Sequence, residues 1–294
     1  MTKGKLIWIG IVFAILWSSA STATKIGLLS SQPFVLAVSR FFIAGVIMIL
    51  FAHGINKNRL PQKKEWSRII IYGLLNVSIY LGLYALAMQR VSAGLGTMAI
   101  GINPVFINFI SMLFFGHKVT QKNIISLLLC SSGVLVAAYP LLKNSYATVN
   151  GIFLLLFSMI AYSVGTIYYA RKKWNDLNII TINGWQTIFG GLILLPVALL
   201  TYQQQKNSFD LRFFGAIFWL AIPVSIGAVQ CWMLLLKQNA VLASYWLFLC
   251  PVVGFLIAAI LLKEPISWYT AVGVLLVTGG LYILQQSDRL VKKK

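Results

Sequence analysis

The sequence predicts an all-α polytopic membrane protein with ten transmembrane helices, arranged as two inverted repeats of five helices each. Three observations support this prediction. The composition is too apolar for a soluble globule, ten segments approach or reach the length of a membrane span, and the second half of the chain repeats the first. The two repeats are expected to occupy residues 1–147 and 148–294.

Composition decides the broad class. Of the 294 residues, 59% are hydrophobic and 10% are charged, so the chain cannot cover a globular surface with polar groups. The formal net charge of +19 would suggest nucleic acid in a soluble protein, but the basic residues fall between apolar runs, where membrane topology explains them. We therefore expect no nucleic-acid partner. The three cysteines are isolated in apolar segments, with no CxxC pair, which predicts buried small side chains and no metal site.

A helix needs about 20 mostly apolar residues to cross a bilayer. The predicted spans are residues 6–23, 33–52, 69–88, 94–115, 123–140, 151–170, 180–201, 213–236, 242–262 and 268–285. The linkers between them are too short to fold separately. The first span follows two lysines, as a signal peptide would, but its length and the absence of an A-x-A cleavage site favour a retained helix.

Ten spans place both termini on one side of the membrane, and the basic residues indicate which side. With the N-terminus inside, 17 Lys and Arg residues lie in inner segments and 6 in outer segments. This asymmetry predicts cytoplasmic termini in a multi-pass protein of the cell membrane. The basic clusters at residues 57–68 and 289–294 determine this topology, and binding of anionic lipid head groups is a secondary role for the same charges.

The internal repeat has an offset of 147 residues, half the length of the chain. It aligns Arg90 with Lys237, Ala93 with Ala240, Thr97 with Ser244, Pro104 with Pro251, His117 with Glu264 and Gly133 with Gly280. Weaker matches align Trp17 with Tyr162 and Arg40 with Gln186. Because each repeat holds an odd number of spans, the second repeat must enter the membrane upside down. Such repeats form a solute cavity at their interface near the midplane, where a proline in each central helix permits bending.

Several features resemble the EamA-like branch of the drug/metabolite transporter superfamily, and together they cover essentially the whole chain. They are the five-plus-five spans, a Trp with small residues in the first span, the R-F-x-x-A-G segment beginning at Arg40, a proline in spans four and nine, and the ending LLKEPISWYTAVGVLLVTGGLYIL. The resemblance implies a secondary transporter that exports small metabolites such as amino acids, or xenobiotics, by alternating access. The chain departs from the family pattern at His117, where the family often has a glutamate.

The sequence does not predict an enzyme. The five acidic residues and two histidines lie in loops or at span ends, so the spans hold no base, nucleophile or metal-ligand set. Proton coupling would have to use a span-end group such as Glu264, and facilitated diffusion is equally compatible with the sequence. Three alternatives remain open. A carrier of nucleotide sugars or phosphate esters needs two or more cations facing the cavity, and a non-saturable channel needs a continuous polar stripe through one bundle. A non-transporting membrane sensor or scaffold usually adds a soluble domain, which the short predicted linkers do not provide.

Arg40 is the sole charge well inside a predicted span. A charge at the centre of a membrane helix costs about 2.5–3.5 kcal/mol on insertion scales, so it needs a partner or a water-filled cleft. Arg40 either anchors a substrate carboxylate or ties its helix to neighbouring carbonyl groups, and the sequence leaves both interpretations open.

Polar and aromatic residues recur at helical spacing within the spans and predict the lining of the cavity. Buried amides and hydroxyls must face inward, where they either bind a solute or bridge helices. The predicted substrate-binding residues are Trp17, Ser21, Arg40, Asn76, Tyr80, Tyr84, Thr97, Pro104, Tyr162, Thr166, Gln186, Gln230, Ser244, Tyr245 and Pro251. The expected partners are a small-molecule substrate and the lipid bilayer, and no cofactor is expected.

Overall fold

A computed structural model describes residues 3–115, 121–144, 146–238, 246–247 and 249–291, and among these residues it contains helices and loops but no strand. The helices are α1 (Lys3–Gly27), α2 (Pro33–Ile49), α3 (Lys64–Gly73), α4 (Tyr80–Met88), α5 (Ala93–Phe115), α6 (Gln121–Lys143), α7 (Val149–Arg171), α8 (Ile179–Leu200), α9 (Leu211–Trp219), α10 (Val229–Gln238), α11 (Leu249–Leu262) and α12 (Trp268–Val291). Three π-helical turns extend or join them: Leu50–Ile55 after α2, Leu74–Ile79 between α3 and α4, and Leu220–Ala228 between α9 and α10.

The described residues contain eight helical segments that are long and apolar enough to cross a membrane, and the chain is a multi-pass membrane protein. These segments are Gly4–Gly27, Pro33–Ile55, Lys64–Met88, Ala93–Ser111, Gln121–Lys143, Val149–Arg171, Ile179–Leu200 and Leu211–Trp232. Two shorter apolar helices follow, Leu249–Leu262 and Trp268–Leu284. The predicted ninth span begins at residues outside the described ranges, and polar Gln285 and Gln286 end the apolar run of the tenth.

The start of α3 differs from the sequence prediction. The apolar run predicts a start at residue 69, but the helix begins at Lys64. The carboxylate of Glu65, which is 3% exposed, accepts the Gln62 backbone N–H at 2.8 Å and pairs with both terminal nitrogens of Arg59. An acidic group in the first helical turn stabilises the free N–H groups there, so the helix extends beyond its apolar segment.

Helices α6 and α12, which are equivalent in the repeat, pack against each other in antiparallel orientation. Ser126 Oγ donates a hydrogen bond to Gly280 O at 2.7 Å, and a Cβ added at Gly133 would lie 2.7 Å from Gly273 O. At the crossing, Cys130 Sγ donates to the carbonyl oxygen of Val277, a residue 147 positions later. A residue that contacts its own repeat equivalent lies beside a local two-fold axis between the two helices.

Two other pairs of repeat-equivalent helices also cross through small residues. Between α2 and α8, a Cβ on Gly45 would lie 2.7 Å from the Ile188 side chain. Between α5 and α11, Gly101 lies against Pro251, and a Cβ on Gly254 would overlap the Thr97 side chain at 2.2 Å. Small residues let helix backbones approach closely inside a membrane, where apolar lipid removes the hydrophobic driving force for helix association.

The described loops gather at two opposite ends of the helices. At the first, which we call end A, Ser208 N donates to Ser30 O at 2.7 Å and Thr148 N donates to Arg90 O at 2.9 Å. These contacts join the loops that follow α1, α4, α6 and α8. At end B, Arg59 Nη2 donates to the carbonyl oxygen of Asn175 at 2.6 Å, which joins the loops that follow α2 and α7.

We expect the substitution Gly273→Ala to destabilise the α6–α12 crossing. The new Cβ would lie 2.6 Å from Gly133 O and 2.8 Å from Ala137 Cβ, and overpacking of this kind costs about 1–3 kcal/mol. The matched control is Gly279→Ala on the same helix, because nothing lies within 4 Å of a Cβ there. Thermal unfolding of the purified protein in detergent measures both variants, and equal midpoints would contradict this packing.

Candidate functional site

Arg40 extends from α2 to the π-helical turn between α9 and α10. Its Nη2 and Nε atoms lie 3.1 and 3.3 Å from the hydroxyl oxygen of Ser225. Ser225 in turn donates its proton to Leu220 O at 2.8 Å, a carbonyl five residues earlier in the π-helical turn. The hydroxyl therefore acts as an acceptor for the guanidinium group, and the contact joins the two halves of the chain.

Arg40 has no carboxylate partner in the described part of the chain. The ion pair found there, with atoms within 4 Å, joins Arg59 to Glu65. A guanidinium group carries five N–H donors, and the single hydroxyl of Ser225 satisfies a fraction of them. Arg40 is half-buried although it lies within a membrane-spanning helix. An unneutralised cation at this depth requires water or an anionic ligand.

Two tyrosines on α4 form the wall beside Arg40. Tyr80 and Tyr84 are both buried, and their ring centroids are 6.1 Å apart. The ring of Tyr162 on α7 packs 4.9 Å from that of Tyr80, which extends the aromatic surface into the second half of the chain. Aromatic rings with hydroxyl groups provide an apolar surface and polar contacts at one location.

Arg40 and Tyr84 line a small cavity of about 10 Å³. The rest of its lining consists of Thr24, Leu36, Ala37, Phe41, Leu81, Ala85 and Leu220. A cavity of this size corresponds to roughly one water molecule. The site is therefore collapsed in this conformation, and a metabolite could enter it only after the surrounding helices move apart.

A chain of buried hydroxyl groups leads from the tyrosine wall to α5. Tyr84 Oη lies 2.7 Å from Ser21 Oγ, and Thr97 Oγ1 donates to Ser21 Oγ at 2.8 Å. Thr97 Oγ1 also lies 3.1 Å from the carbonyl oxygen of Ala93, at the start of α5. These contacts connect α1, α4 and α5 below the surface of end A.

A second polar group lies where π-helical turn 74–79 meets α8. Asn76 Nδ2 donates to Gln186 Oε1 at 3.4 Å, and Gln186 Nε2 donates to Asn183 Oδ1 at 2.9 Å. The side-chain oxygen of Asn76 is buried and has no hydrogen-bond partner within the described structure. Because Asn76 precedes Tyr80 by one helical turn, this free acceptor belongs to the same helix face as the tyrosine wall.

The remaining predicted residues occupy varied positions. Trp17 packs against the core cluster that contains both α4 tyrosines, and its ring lies 5.7 Å from that of Phe13. The half-buried ones are Thr166, Gln230 and Pro104, and Pro251 is buried against Gly101. Ser244 and Tyr245 lie outside the described residues. The contacts therefore bring together Ser21, Arg40, Tyr80, Tyr84, Thr97 and Tyr162, with Asn76 and Gln186 adjacent.

Ser225 was absent from the sequence-based prediction, although the repeat contains a signal for it. It lies 147 residues after Ser78, whose hydroxyl donates to Gly190 O at 2.7 Å. Each serine thus lies in the third helical segment of its half and bonds to the second segment of the other half. Comparison of polar residues at equivalent positions would have identified Ser225 as a residue that faces α2.

Comparisons with known proteins agree with this architecture. The model of the EamA-like transporter family matches residues 4–139 and again residues 149–285. An uncharacterised transporter of Archaeoglobus fulgidus is 29% identical, covering 94% of this chain and 98% of that protein. Protein PecM of Dickeya dadantii is 26% identical over 95% of this chain and 91% of its own length. The uncharacterised inner membrane transporter YedA of Escherichia coli is 26% identical over 93% and 91%.

A solved crystal structure also matches the chain over 99% of both lengths, with a TM-score of 0.68 and 19% sequence identity. This likeness shows a shared fold.

We expect the substitution Arg40→Met to raise the thermal stability of the solute-free protein. The substitution removes a charge that has no carboxylate partner in the described structure, and it also removes the hydrogen bond to Ser225. The expected net increase in the free energy of unfolding is about 1–2 kcal/mol. Arg59→Met should lower stability, because it leaves the buried carboxylate of Glu65 unpaired. Unfolding midpoints in detergent compare the two variants. A lower midpoint for Arg40→Met would identify Arg40 as a structural tie between helices instead of a ligand group.

Proposed function

The chain belongs to the EamA-like transporter family, and from this premise we propose that it carries a small carboxylate-bearing solute across the cell membrane by alternating access. Amino acids and related metabolites with an apolar or aromatic body fit the proposed site best. The observation that carries the proposal is the position of Arg40. It lies about a third of the way along the candidate membrane span Pro33–Ile55, beside the tyrosine wall, and it has no carboxylate partner in the described structure.

The proposed binding mode uses the chemistry of each group. A guanidinium group binds a carboxylate through two parallel hydrogen bonds, and Ser225 keeps the Arg40 side chain directed toward the site. The tyrosine rings supply the apolar surface for the body of the solute. The buried oxygen of Asn76 is an acceptor for an ammonium or amide N–H on the solute. Carboxylate and amino groups would thus be held at two places along the tyrosine wall.

The proposed mechanism depends on two inverted repeats, residues 1–147 and 148–294, each with five spans. The antiparallel packing of α6 on α12, with Cys130 against its own equivalent Val277, supports this symmetry. The π-helical turns Leu74–Ile79 and Leu220–Ala228 lie at equivalent positions in the third span of each repeat. Locally unwound helices at the interface of inverted repeats are typical of transporter sites, and π-helical turns concentrate at functional sites.

Orientation follows from the charge pattern. The ratio of 17 basic residues to 6 supports an arrangement in which end B and both termini face the cytoplasm and end A faces outward. The exposed lysines and arginines of the end B loops would then also contact anionic lipid head groups. Export is the direction that we propose from the resemblance to the family. A carrier of phosphate esters is less compatible with this site, because Arg40 is the one cation among the residues that line the small cavity.

Transport into liposomes tests the solute class. We expect saturable uptake of labelled aromatic or apolar amino acids, and we expect the corresponding amines, which lack the carboxylate, to compete poorly. Arg40→Met should abolish this uptake, whereas Ser225→Ala should raise KM about fivefold, which corresponds to the loss of about 1 kcal/mol. Arg212→Met, at an exposed position near end A, is the control. Unchanged kinetics in Arg40→Met would exclude Arg40 as the carboxylate anchor.

Cysteine labelling tests the inverted topology. Gln62 and Gln205 lie in the loops between the second and third spans of the two repeats and are both exposed. Inverted repeats place these loops on opposite sides of the membrane. An impermeant thiol reagent added to intact cells should therefore label Gln205→Cys but not Gln62→Cys, and inverted vesicles should show the opposite result. Labelling of both positions from the same side would rule out the inverted arrangement.

A further inference from the structure

We propose that Glu264 is a gating residue that keeps end A closed by capping α5 from a loop of the other repeat. The inference rests on the proposed transport function, because alternating access requires a contact that closes the site at end A. It deepens that proposal by naming the contact that must break before a solute passes end A. We call Glu264, Lys25 and the turn of residues 88–94 the Glu264 latch.

The carboxylate of Glu264 makes two hydrogen bonds to the first turn of α5. Oε1 accepts from Ala93 N at 2.6 Å, and Oε2 accepts from Gly94 N at 3.1 Å. Glu264 is 8% exposed, so water competes little for these donors. A carboxylate at a helix N-terminus is favoured by its free N–H groups and by the helix dipole. Caps usually come from the residue that precedes the helix, whereas this one comes from a residue 171 positions away.

The residue before Glu264 has a strained backbone conformation. Lys263 has a φ of 54°, in the left-handed region that residues with a side chain rarely adopt. This conformation ends α11 and reverses the chain, while the Glu264 carboxylate lies against α5. Strained backbone persists where surrounding contacts hold it in place, and such positions concentrate at binding sites and switches.

Lys25 binds the same turn at two other residues. Its Nζ atom donates to Met88 O at 2.8 Å and to Val91 O at 2.7 Å, at the end of α4 and in the turn before α5. Lys25 also lies within electrostatic reach of Glu264. The turn that links α4 to α5 is thus bound by a cation from α1 and by an anion from the loop between α11 and α12. Closure of end A therefore combines both halves of the chain.

The latch is connected to the proposed solute site by the hydroxyl chain. Ala93 donates its N–H to Glu264 Oε1, and its carbonyl oxygen lies 3.1 Å from Thr97 Oγ1. Thr97 bonds to Ser21, and Ser21 bonds to Tyr84, which lines the small cavity with Arg40. A displacement of the first turn of α5 would consequently move the partners of Tyr84, so opening of end A and opening of the site are mechanically linked.

The repeat predicts that the two ends differ. The residue equivalent to Glu264 is His117, which lies outside the described residues. A neutral imidazole has one acceptor nitrogen, and a carboxylate has two oxygens. An imidazole cannot accept two N–H groups as a carboxylate does, so the first half of the sequence does not repeat the chemistry of the Glu264 cap.

The test measures opening directly through a cysteine placed behind the latch. Thr24 is 4% exposed and lines the small cavity with Arg40, so Thr24→Cys reports access to the site. We expect Glu264→Gln to raise the rate of labelling by an impermeant thiol reagent at least tenfold from the end A side. Parallel reactions in intact cells and in inverted vesicles identify that side. The same variants without the Thr24→Cys substitution give the background from the native cysteines.

Glu65→Gln is the matched control, because it neutralises another buried carboxylate, which lies at end B and does not contact α5. Lys25→Met is a second test of the latch, and it stands alone if Glu264→Gln fails to fold. If Glu264→Gln and Lys25→Met both fold and both are labelled at the parent rate, the proposal is overturned. If Glu264→Gln does not fold, labelling of Lys25→Met at the parent rate overturns it. Equal acceleration in Glu65→Gln also overturns it. No solute is present, so these results are independent of the transport assay. Faster labelling without any transport would reject the proposed function and retain the gate.

Discussion

The close antiparallel contact between repeat-equivalent helices is the constraint on which the rest of the structure depends. Lipid chains are as apolar as the side chains of a membrane helix, so these helices associate through packing and hydrogen bonds. Glycines at the α6–α12 crossing allow Ser126 and Cys130 to reach carbonyl oxygens of the opposite helix. Since this crossing relates equivalent residues of the two halves, it also determines which segments of one half meet which segments of the other.

The polar contacts at the centre follow from that arrangement. The second segment of each half meets the third segment of the other, which brings Arg40 to Ser225 and Gln186 to Asn76. The two halves therefore build similar contacts from different chemistry. The Arg40–Ser225 contact includes a cation. The Asn76–Gln186 contact includes neutral amides, and the side-chain oxygen of Asn76 has no hydrogen-bond partner in the described structure. The two contacts therefore differ in chemistry although they join equivalent segments of the two halves.

The charged residues at the two ends of the molecule also differ between the two halves. Glu264 and His117 occupy equivalent positions of the two halves in the sequence, so the repeat does not preserve the carboxylate that caps α5. At end A, Lys25 and Glu264 bind the turn before α5, whereas Arg90, Lys206 and Arg212 are exposed. At end B, Arg59 pairs with Glu65, whereas most other cations are exposed. Charged groups thus have a structural role at both ends.

The sequence by itself determined the class of the protein, the approximate position of most helices, the repeat, and the stripe that contains Asn76, Tyr80 and Tyr84. These features depend on local properties, namely apolar length, helical spacing and similarity between the two halves. The tertiary structure decided the contacts that sequence spacing does not specify. The earlier start of α3 depends on the Arg59–Glu65 pair, and the Ser225 contact depends on a π-helical turn. The cap by Glu264 joins residues 171 positions apart, and no local pattern specifies the rotation of a helix that is apolar on nearly every face.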